Sequence, residues 1–511
     1  MKQVWAAMLT ASLMAGCAGL PSLEGRTVTS AVMDTDTTRL GRAIAPHAAA
    51  NPGKSGIHSL PVPGDAFAAR GLLAQAAEKS LDAQYYIWRG DQSGYLLLEQ
   101  LWRAAERGVR VRLLLDDVGT AGLDATIADL GSHPNIEVRL YNPLANRGLR
   151  ATNYLTDFPR INRRMHNKSF TVDNQATIVG GRNIGNEYTG AGRGVIFEDL
   201  DVIAAGPVVR EVSAAFDLYW NSASAYPAAG LVGRAGADAA KRLEARFAET
   251  RADPDAIEYV ARLRETQLVQ DLLAGRLRLE WTGARLLSDD PAKTLDTTER
   301  KDLLLLDDLL RTVGPPTRSF ELISPYFVPG EKGTADLAAL ARRGVTVRIL
   351  TNSLAATDVA AVHSGYAKRR NDLLEAGVQL YELKPTVPGE RPEEKRRSGG
   401  SSSASLHAKT FALDQERIFV GSFNFDPRSA LLNTEMGLMI ESPTLARLLG
   451  AAFDTRIPRD SWEVRRSEQG GIEWIERTST DEVRSNKEPG VGLLKRLWIQ
   501  ILSILPIEGL L

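Results

Sequence analysis

The sequence predicts an α/β protein: two duplicated α/β sandwich half-domains packed about a pseudo-two-fold, with one shared active site. A small constellation occurs twice and in register. The first copy is His166-Asn-Lys168, Asp173 and Gly180-Gly-Arg-Asn183; the second is His407-Ala-Lys409, Asp414 and Gly421-Ser422-Phe-Asn424. Strand and helix patterns around each copy recur about 240 residues apart, the period of a domain duplication and too long for a solenoid repeat. At 511 residues the chain also exceeds what one hydrophobic core normally serves. The chain holds only 6 histidines, so the doubled motif does not follow from composition.

Taken in order, residues 1–17 read as a secretory signal. The short apolar run from Val4 to Met14 is too brief for a membrane span and is closed by Met14-Ala15-Gly16-Cys17. That ending resembles a bacterial lipobox, with Met14 where Leu is usual. The resemblance implies lipidation of Cys17 and a membrane-anchored lipoprotein of the cell envelope, on the periplasmic face of the inner or outer membrane if the source is Gram-negative. Residues 18–60 are expected as an N-terminal linker.

The first half-domain is expected over 61–230. Gln84-Tyr-Tyr-Ile87 reads as a strand, and Leu98, Leu101, Trp102 and Ala105 mark one face of a helix that ends at Gly108. Val109 to Leu115 and Ile136 to Tyr141 read as further strands. The second half-domain, 301–475, repeats the order: a strand at Glu321 to Ser324, a helix ending at Gly344, then strands at Val345 to Leu350 and Val378 to Tyr381. Between the halves, 231–300 is charged and expected as a helical linker. The Pro-, Ser- and charge-rich segment 385–405 is expected as a flexible loop running into His407. The tail 476–511 ends in an apolar stretch opened by Lys495 and Arg496; a membrane-interfacial segment and a helix docked on the core are its competing readings.

Around each motif the pattern predicts two strands and a tight turn: Ser169–Val172 with Ala176–Val179, and Thr410–Leu413 with Ile418–Val420. A histidine and a lysine at i and i+2 of an extended segment point to one face, so each half presents an imidazole beside an ammonium. Asn183 and Asn424 follow the second strand and can donate to phosphate oxygens, and Gly180 and Gly421 permit close backbone approach. One half alone would carry a nucleophile without an acid, or the reverse. Together they place two histidines about one phosphodiester, one attacking phosphorus while the other protonates the leaving alcohol. The lysines and asparagines then offset charge on the equatorial oxygens.

Each histidine needs a partner that fixes its tautomer. Glu435 and Asp199 lie similarly downstream of their motifs and are the candidates, with Glu198 the competing choice in the first half. Asp173 and Asp414 belong to the repeated catalytic set but are expected to order the turn. Arg160, Arg163 and Arg164, just before His166, are expected in solvent.

Composition narrows the class. The single cysteine excludes an internal disulfide framework and a multi-cysteine metal site. A net charge of −1 gives no global pull toward nucleic acid, and the motif flanks lack a basic, aromatic-lined groove. No metal-ligand spacing stands out, so chemistry without metal or cofactor is expected.

The repeated residues resemble the HKD signature of the phospholipase D superfamily, over most of the chain from about Asp65 to Ile475. The departure is Gly181, where the second copy has Ser422. The resemblance implies two phospholipase D-like half-domains, with His166 as nucleophile and His407 as general acid; the sequence itself does not choose that order. Within the superfamily the chain looks like the bacterial cardiolipin synthases of the C type. Support comes from the lipobox-like start, the stretch from Asn352 to Tyr366 and the closing Leu505-Pro-Ile-Glu508. That likeness implies transphosphatidylation at a membrane, with phosphatidylglycerol as acceptor and phosphatidylethanolamine as a candidate donor. No nucleic-acid partner is expected, and the need for an accessory protein is not readable. His363 is either an acceptor-pocket residue or a structural one, the second favoured. A hydrolase of the same fold, acting on lipid or nucleic acid, and a non-catalytic lipid-binding scaffold are the competing functions.

Overall fold

The computed structural model describes residues 19–504 apart from 192–195, 275, 296–302, 358, 386–403 and 479–480. Cys17 with its expected signal, and nearly all of the loop expected over 385–405, lie outside the described residues. The first half contributes β1 (Ser55–Leu60), β2 (Ser80–Tyr85), β3 (Arg110–Asp116), β4 (Ile136–Tyr141), β5 (Ser169–Val172), β6 (Ala176–Gly180), β7 (Ile196–Glu198), β8 (Asp201–Ala205) and β9 (Ala225–Pro227). After β10 (Glu280–Thr282) come β11 (Ala284–Ser288), β12 (Ser319–Ile323), β13 (Thr346–Asn352), β14 (Gln379–Leu383), β15 (Ala404–Leu406), β16 (Thr410–Leu413), β17 (Arg417–Gly421), β18 (Met436–Ile440), β19 (Ser461–Arg466), β20 (Ile472–Arg477) and β21 (Glu482–Ser485).

Among the described residues these strands form two large mixed sheets and one small pair. The first sheet runs β10-β1-β8-β6-β5-β2-β3-β4-β9, the second β11-β18-β17-β16-β12-β13-β14-β19-β20-β21. Apart from β10 and the β20–β21 extension, each strand of one sheet has its counterpart in the other, so the duplication extends to strand order. The centre of each sheet is parallel, β2-β3-β4 and β12-β13-β14. Such strands are covered on both faces, which is why Val111-Arg-Leu-Leu-Leu115 is almost wholly apolar. The covering helix Gln92–Glu106 is capped by Asp91, which accepts from the Gly94 amide, and buries Leu97, Leu101, Trp102 and Ala105. It stops before Gly108, at φ 91°, and the helix Gly330–Arg342 stops before Gly344, at φ 89°.

Both motif hairpins turn on two residues with positive φ: Asp173 and Asn174 in one, Asp414 and Gln415 in the other. This is the type I′ pattern that matches strand twist. The two aspartates also tie their turns to the start of the central strand. Asp173 accepts the backbone N–H groups of Glu78, Lys79 and Ser80, and Asp414 those of Thr317, Arg318 and Ser319.

The halves meet through one apolar layer. Val179, Val202 and Ala204 of the first sheet pack with Val420, Met436 and Leu438 of the second. Backbone hydrogen bonds cross the same boundary beside each motif. The His166 amide donates to Thr434 O at 2.9 Å, and β7 pairs in parallel with β15, after which the His407 and Ala408 amides donate to Glu198 O.

Several boundaries differ from those expected. The segment expected as N-terminal linker holds a helix, Arg39–Ala50, and β1, which sits between β8 and β10 because Ile57 and Leu60 are buried there. The segment expected as helical linker does hold helices, Ala239–Ala252, Pro254–Arg264 and Gln267–Leu273, but ends in β10 and β11. Only Gly283 separates these two strands, so the chain passes directly from one sheet to the other. The Glu441 side chain fills the space a Cβ at 283 would need, 2.3 Å away. The expected tail contains β21 and a helix, Leu493–Ile504, docked against the helix Ala360–Ala367 with Lys495 donating to Leu354 O. Leu493, Leu494 and Leu497 of that helix are exposed. No helix among the described residues is long and apolar enough to cross a membrane. His363 is buried in a clamp with Arg370 and Glu488, a structural position.

Candidate active site

His166 and His407 precede β5 and β16 and are buried at the boundary between the halves, 7% and 8% exposed. Their carboxylate partners are exchanged. Nδ1 of His166 lies 2.8 Å from Glu435 Oε2, and Nδ1 of His407 lies 2.6 Å from Asp199 Oδ2. Each half therefore supplies the histidine for one pair and the carboxylate for the other. With the carboxylate ionised the proton resides on Nδ1, which leaves Nε2 as the lone-pair nitrogen. Glu198, the competing candidate, has an exposed side chain and enters only through its backbone oxygen.

Lys168 and Lys409 are buried and each donates through Nζ to the backbone oxygen of its own motif histidine. Lys409 Nζ also lies 3.0 Å from His407 Nδ1. Burial, and then the two ammonium groups, push both imidazoles well below the usual histidine value, so they rest neutral. Burial pushes Lys168 down too, with Glu435 opposing.

The two carboxylates are held differently. Burial raises Glu435 to about 7, against the charge of Lys168 and hydrogen bonds from Ser422 and Ser429. Burial also raises Asp199, and in the first half Gly181 takes the place of Ser422. A Cβ at 181 would lie 2.3 Å from Asp199 Oδ1 and 2.9 Å from its Cγ. The shorter aspartate thus occupies the volume that a serine would fill. The departure from the repeat pairs with a second one, Asp199 against Glu435.

Asn183 accepts the Ile87 amide through Oδ1, and its side chain also meets the Tyr188 hydroxyl. Asn424 has its buried amide Oδ1 without a hydrogen-bond partner among the described residues. Asp173 and Asp414 face the strand starts described above and stand behind the site. Sequence reasoning missed the aromatic walls: Tyr86 meets His166 edge-on at 5.0 Å, while Tyr188 and Phe197 contact His407 at 5.1 and 5.2 Å. Tyr86 lies in the segment expected as a strand over Gln84 to Ile87, but β2 ends at Tyr85, and nothing local marked Tyr86 as adjacent to a histidine 80 residues on. Ser429 was missed for the same reason.

The arginines before His166 are not solvated as expected. Arg164 is buried and pairs with Asp116, whose carboxylate also accepts the Met165 amide, so this ion pair sets the approach to His166. Arg160 pairs with Asp157, and Arg163 donates to Lys293 O. Among the described residues no cluster of His, Cys, Asp and Glu has the form of a metal site. The arrangement suits in-line displacement at phosphorus: two neutral, carboxylate-held imidazoles lie with two lysines at one buried boundary between the halves, and a buried asparagine follows each motif.

Comparison with known proteins bears on both fold and chemistry. A sequence model of the family described as "Cardiolipin synthase, PLD-like domain" matches residues 71–220 and 309–457. Cardiolipin synthase C of Escherichia coli K12 is 48% identical over 473 residues, covering 93% of this chain and 100% of that protein. An uncharacterised protein of Helicobacter pylori J99 is 32% identical over 87% of this chain and 88% of its own length. The crystal structure of phosphatidylserine synthase from Haemophilus influenzae Rd KW20 aligns with a TM-score of 0.54 at 15% identity, over 94% of this chain and 100% of that one. At that identity the likeness concerns the fold.

Proposed function

We propose that this chain, which belongs to the PLD-like cardiolipin synthase family, is a phosphatidyltransferase that makes cardiolipin by transphosphatidylation of phosphatidylglycerol. The observation that carries the chemistry is the exchanged pair of contacts, His166 with Glu435 and His407 with Asp199. The substrate class comes from 48% identity to cardiolipin synthase C across nearly the whole chain.

His166 Nε2 attacks phosphorus of the donor lipid, forming an N–P bond as the bond to the headgroup oxygen breaks. His407, protonated, gives its proton to that oxygen and the headgroup alcohol leaves. Burial and the lysines hold His407 neutral before substrate binds; the phosphodiester anion offsets that positive field and favours protonation on binding. In the second step neutral His407 takes the proton from the free hydroxyl of phosphatidylglycerol. That oxygen attacks phosphorus and His166 departs, giving cardiolipin. Lys168, Lys409, Asn183 and Asn424 hold the equatorial oxygens, while Glu435 and Asp199 fix the tautomers. Phosphatidylethanolamine is the proposed donor, releasing ethanolamine. Acylation at Cys17 is the proposed anchor, placing the site at a membrane of the cell envelope.

The test is purified protein in mixed micelles of phosphatidylglycerol, with and without phosphatidylethanolamine, products read by mass spectrometry. Cardiolipin that disappears in His166→Ala supports the transfer, and dependence on the ethanolamine lipid identifies the donor. Phosphatidic acid as sole product, with acceptor in excess, would make the enzyme a hydrolase. The order of the histidines is read separately. With a phosphatidyl-p-nitrophenol donor, whose leaving group needs no proton, His407→Asn should trap a phosphatidyl adduct on the peptide holding residue 166, and an adduct at residue 407 in His166→Asn would reverse the roles.

A further inference from the structure

The two halves differ on their outer, helical faces. Each sandwich places a helix just before its first central strand, Pro63–Ala76 before β2 and Leu305–Val313 before β12. In the first half this layer is closed from outside by the three helices between the halves. Phe247, Tyr259 and Leu268 join its core, Tyr259 packing on Phe67 at 5.7 Å and donating to Thr189 O. In the second half, among the described residues, no element takes their place. The matching helix is shorter, 9 residues against 14, and a cavity of about 690 Å³ opens between it, the helix Gly330–Arg342 and the outer face of β12 and β16. Ala430, which by the motif spacing corresponds to Thr189, lines it.

The lining is apolar, with Leu306, Leu309, Leu340, Phe411, Phe423 and Phe425 as its body and charged groups such as Lys332 and Arg343 at the helix that borders it. Phe423 and Phe425 flank Asn424 in the chain. Asp426, which also lines the cavity, caps the turn Pro427–Leu431, whose Ser429 hydroxyl donates to Glu435, the carboxylate that holds His166. One wall of the cavity is therefore the back of the catalytic loop. The volume is that of a pocket for a sizeable organic ligand.

We infer that this cavity holds an acyl chain of the phospholipid whose phosphate lies between the two histidines. The inference rests on the phosphatidyl-transfer reading and adds where the substrate's apolar part goes. Among the groups in that reaction, glycerol, ethanolamine and phosphate are polar; the acyl chains alone offer surface that gains from leaving water for a wall of leucine and phenylalanine. The first half fills the equivalent layer with its own Tyr259 and Leu268, so only one side of the pseudo-two-fold receives a chain. That asymmetry lets a symmetric pair of histidines bind an asymmetric substrate in one orientation.

Two measurements test this. Inactive His166→Asn protein is irradiated with phosphatidylglycerol carrying a diazirine at mid-chain, in micelles, and the labelled peptides are identified. Labelling within 305–313, 330–343 and 423–431, abolished when Ala430→Trp is added, is expected. Labelling confined to other surfaces would overturn the proposal and leave the cavity to a second copy of the chain or another segment. In active protein, Ala430→Trp is expected to lower kcat/KM for a dioleoyl substrate tenfold or more while sparing a dihexanoyl one, because each methylene left unburied forfeits about fourfold in binding. Equal loss for both lipids would overturn it. Since the labelling needs no turnover, absence of cardiolipin in the wild-type assay would refute the transferase reading without deciding the pocket.

Discussion

At the scale of single residues, the site depends on two carboxylates carrying charge in a place that resists it. Burial holds Glu435 near 7, above the usual glutamate value, and Ser422 works against that rise. Below about pH 7 the carboxyl gains a proton and no longer accepts from His166 Nδ1, so kcat/KM should fall on the acid side with a midpoint near 7. In Ser422→Ala the ionised form loses a donor, the carboxyl pKa rises, and the acid limb should move to higher pH. A limb that stays put in a pH–rate profile would show that another group controls it. On the opposite side, Gly181 and Asp199 act as a matched pair. Gly181→Ser should displace Asp199 and lower kcat by about 10²-fold, as expected for a misplacement of about 1 Å. Adding Asp199→Glu rebuilds the Ser422–Glu435 combination and should recover part of the loss; kinetics of the single and double variants check both.

At the scale of elements, the motif hairpins are repeated structures with unequal turns. Asp173-Asn174 and Asp414-Gln415 both place two residues in the left-handed region. Asparagine tolerates it, while glutamine gains no compensating local bond. Gln415→Asn should therefore stabilise the fold, by about 0.5–1 kcal/mol, in line with other backbone-compatible turn substitutions; thermal unfolding measures it. The parallel centre of each sheet and the two motif hairpins were legible because apolar runs, a His-x-Lys pair and a turn signal coincide in a few residues. The remaining strands, β1, β7 to β11, β15 and β18 to β21, were not. What makes such a segment a strand is a partner far away in sequence: β8 for β1, β18 for β11. Arg164 was misjudged likewise, because only the fold brings Asp116 to it.

At the scale of the whole molecule, one chain closes one site, since each histidine finds its carboxylate in the other half. Equal mixing of His166→Asn and His407→Asn should leave cardiolipin synthesis absent. Recovered activity would mean that halves of different chains can pair. The sequence by itself determined the α/β class, the duplication and the family, and it named the residues proposed to carry the chemistry, because identical spacing of reactive groups survives without knowledge of the fold. It named Glu435 and Asp199 but could not assign them, and it gave no sign that Gly181 and Asp199 compensate each other or that the second half keeps an open apolar cavity. Those were decided by tertiary structure. Packing two sheets face to face brings residues over 200 positions apart within hydrogen-bond distance, and no local pattern encodes which half a side chain will meet.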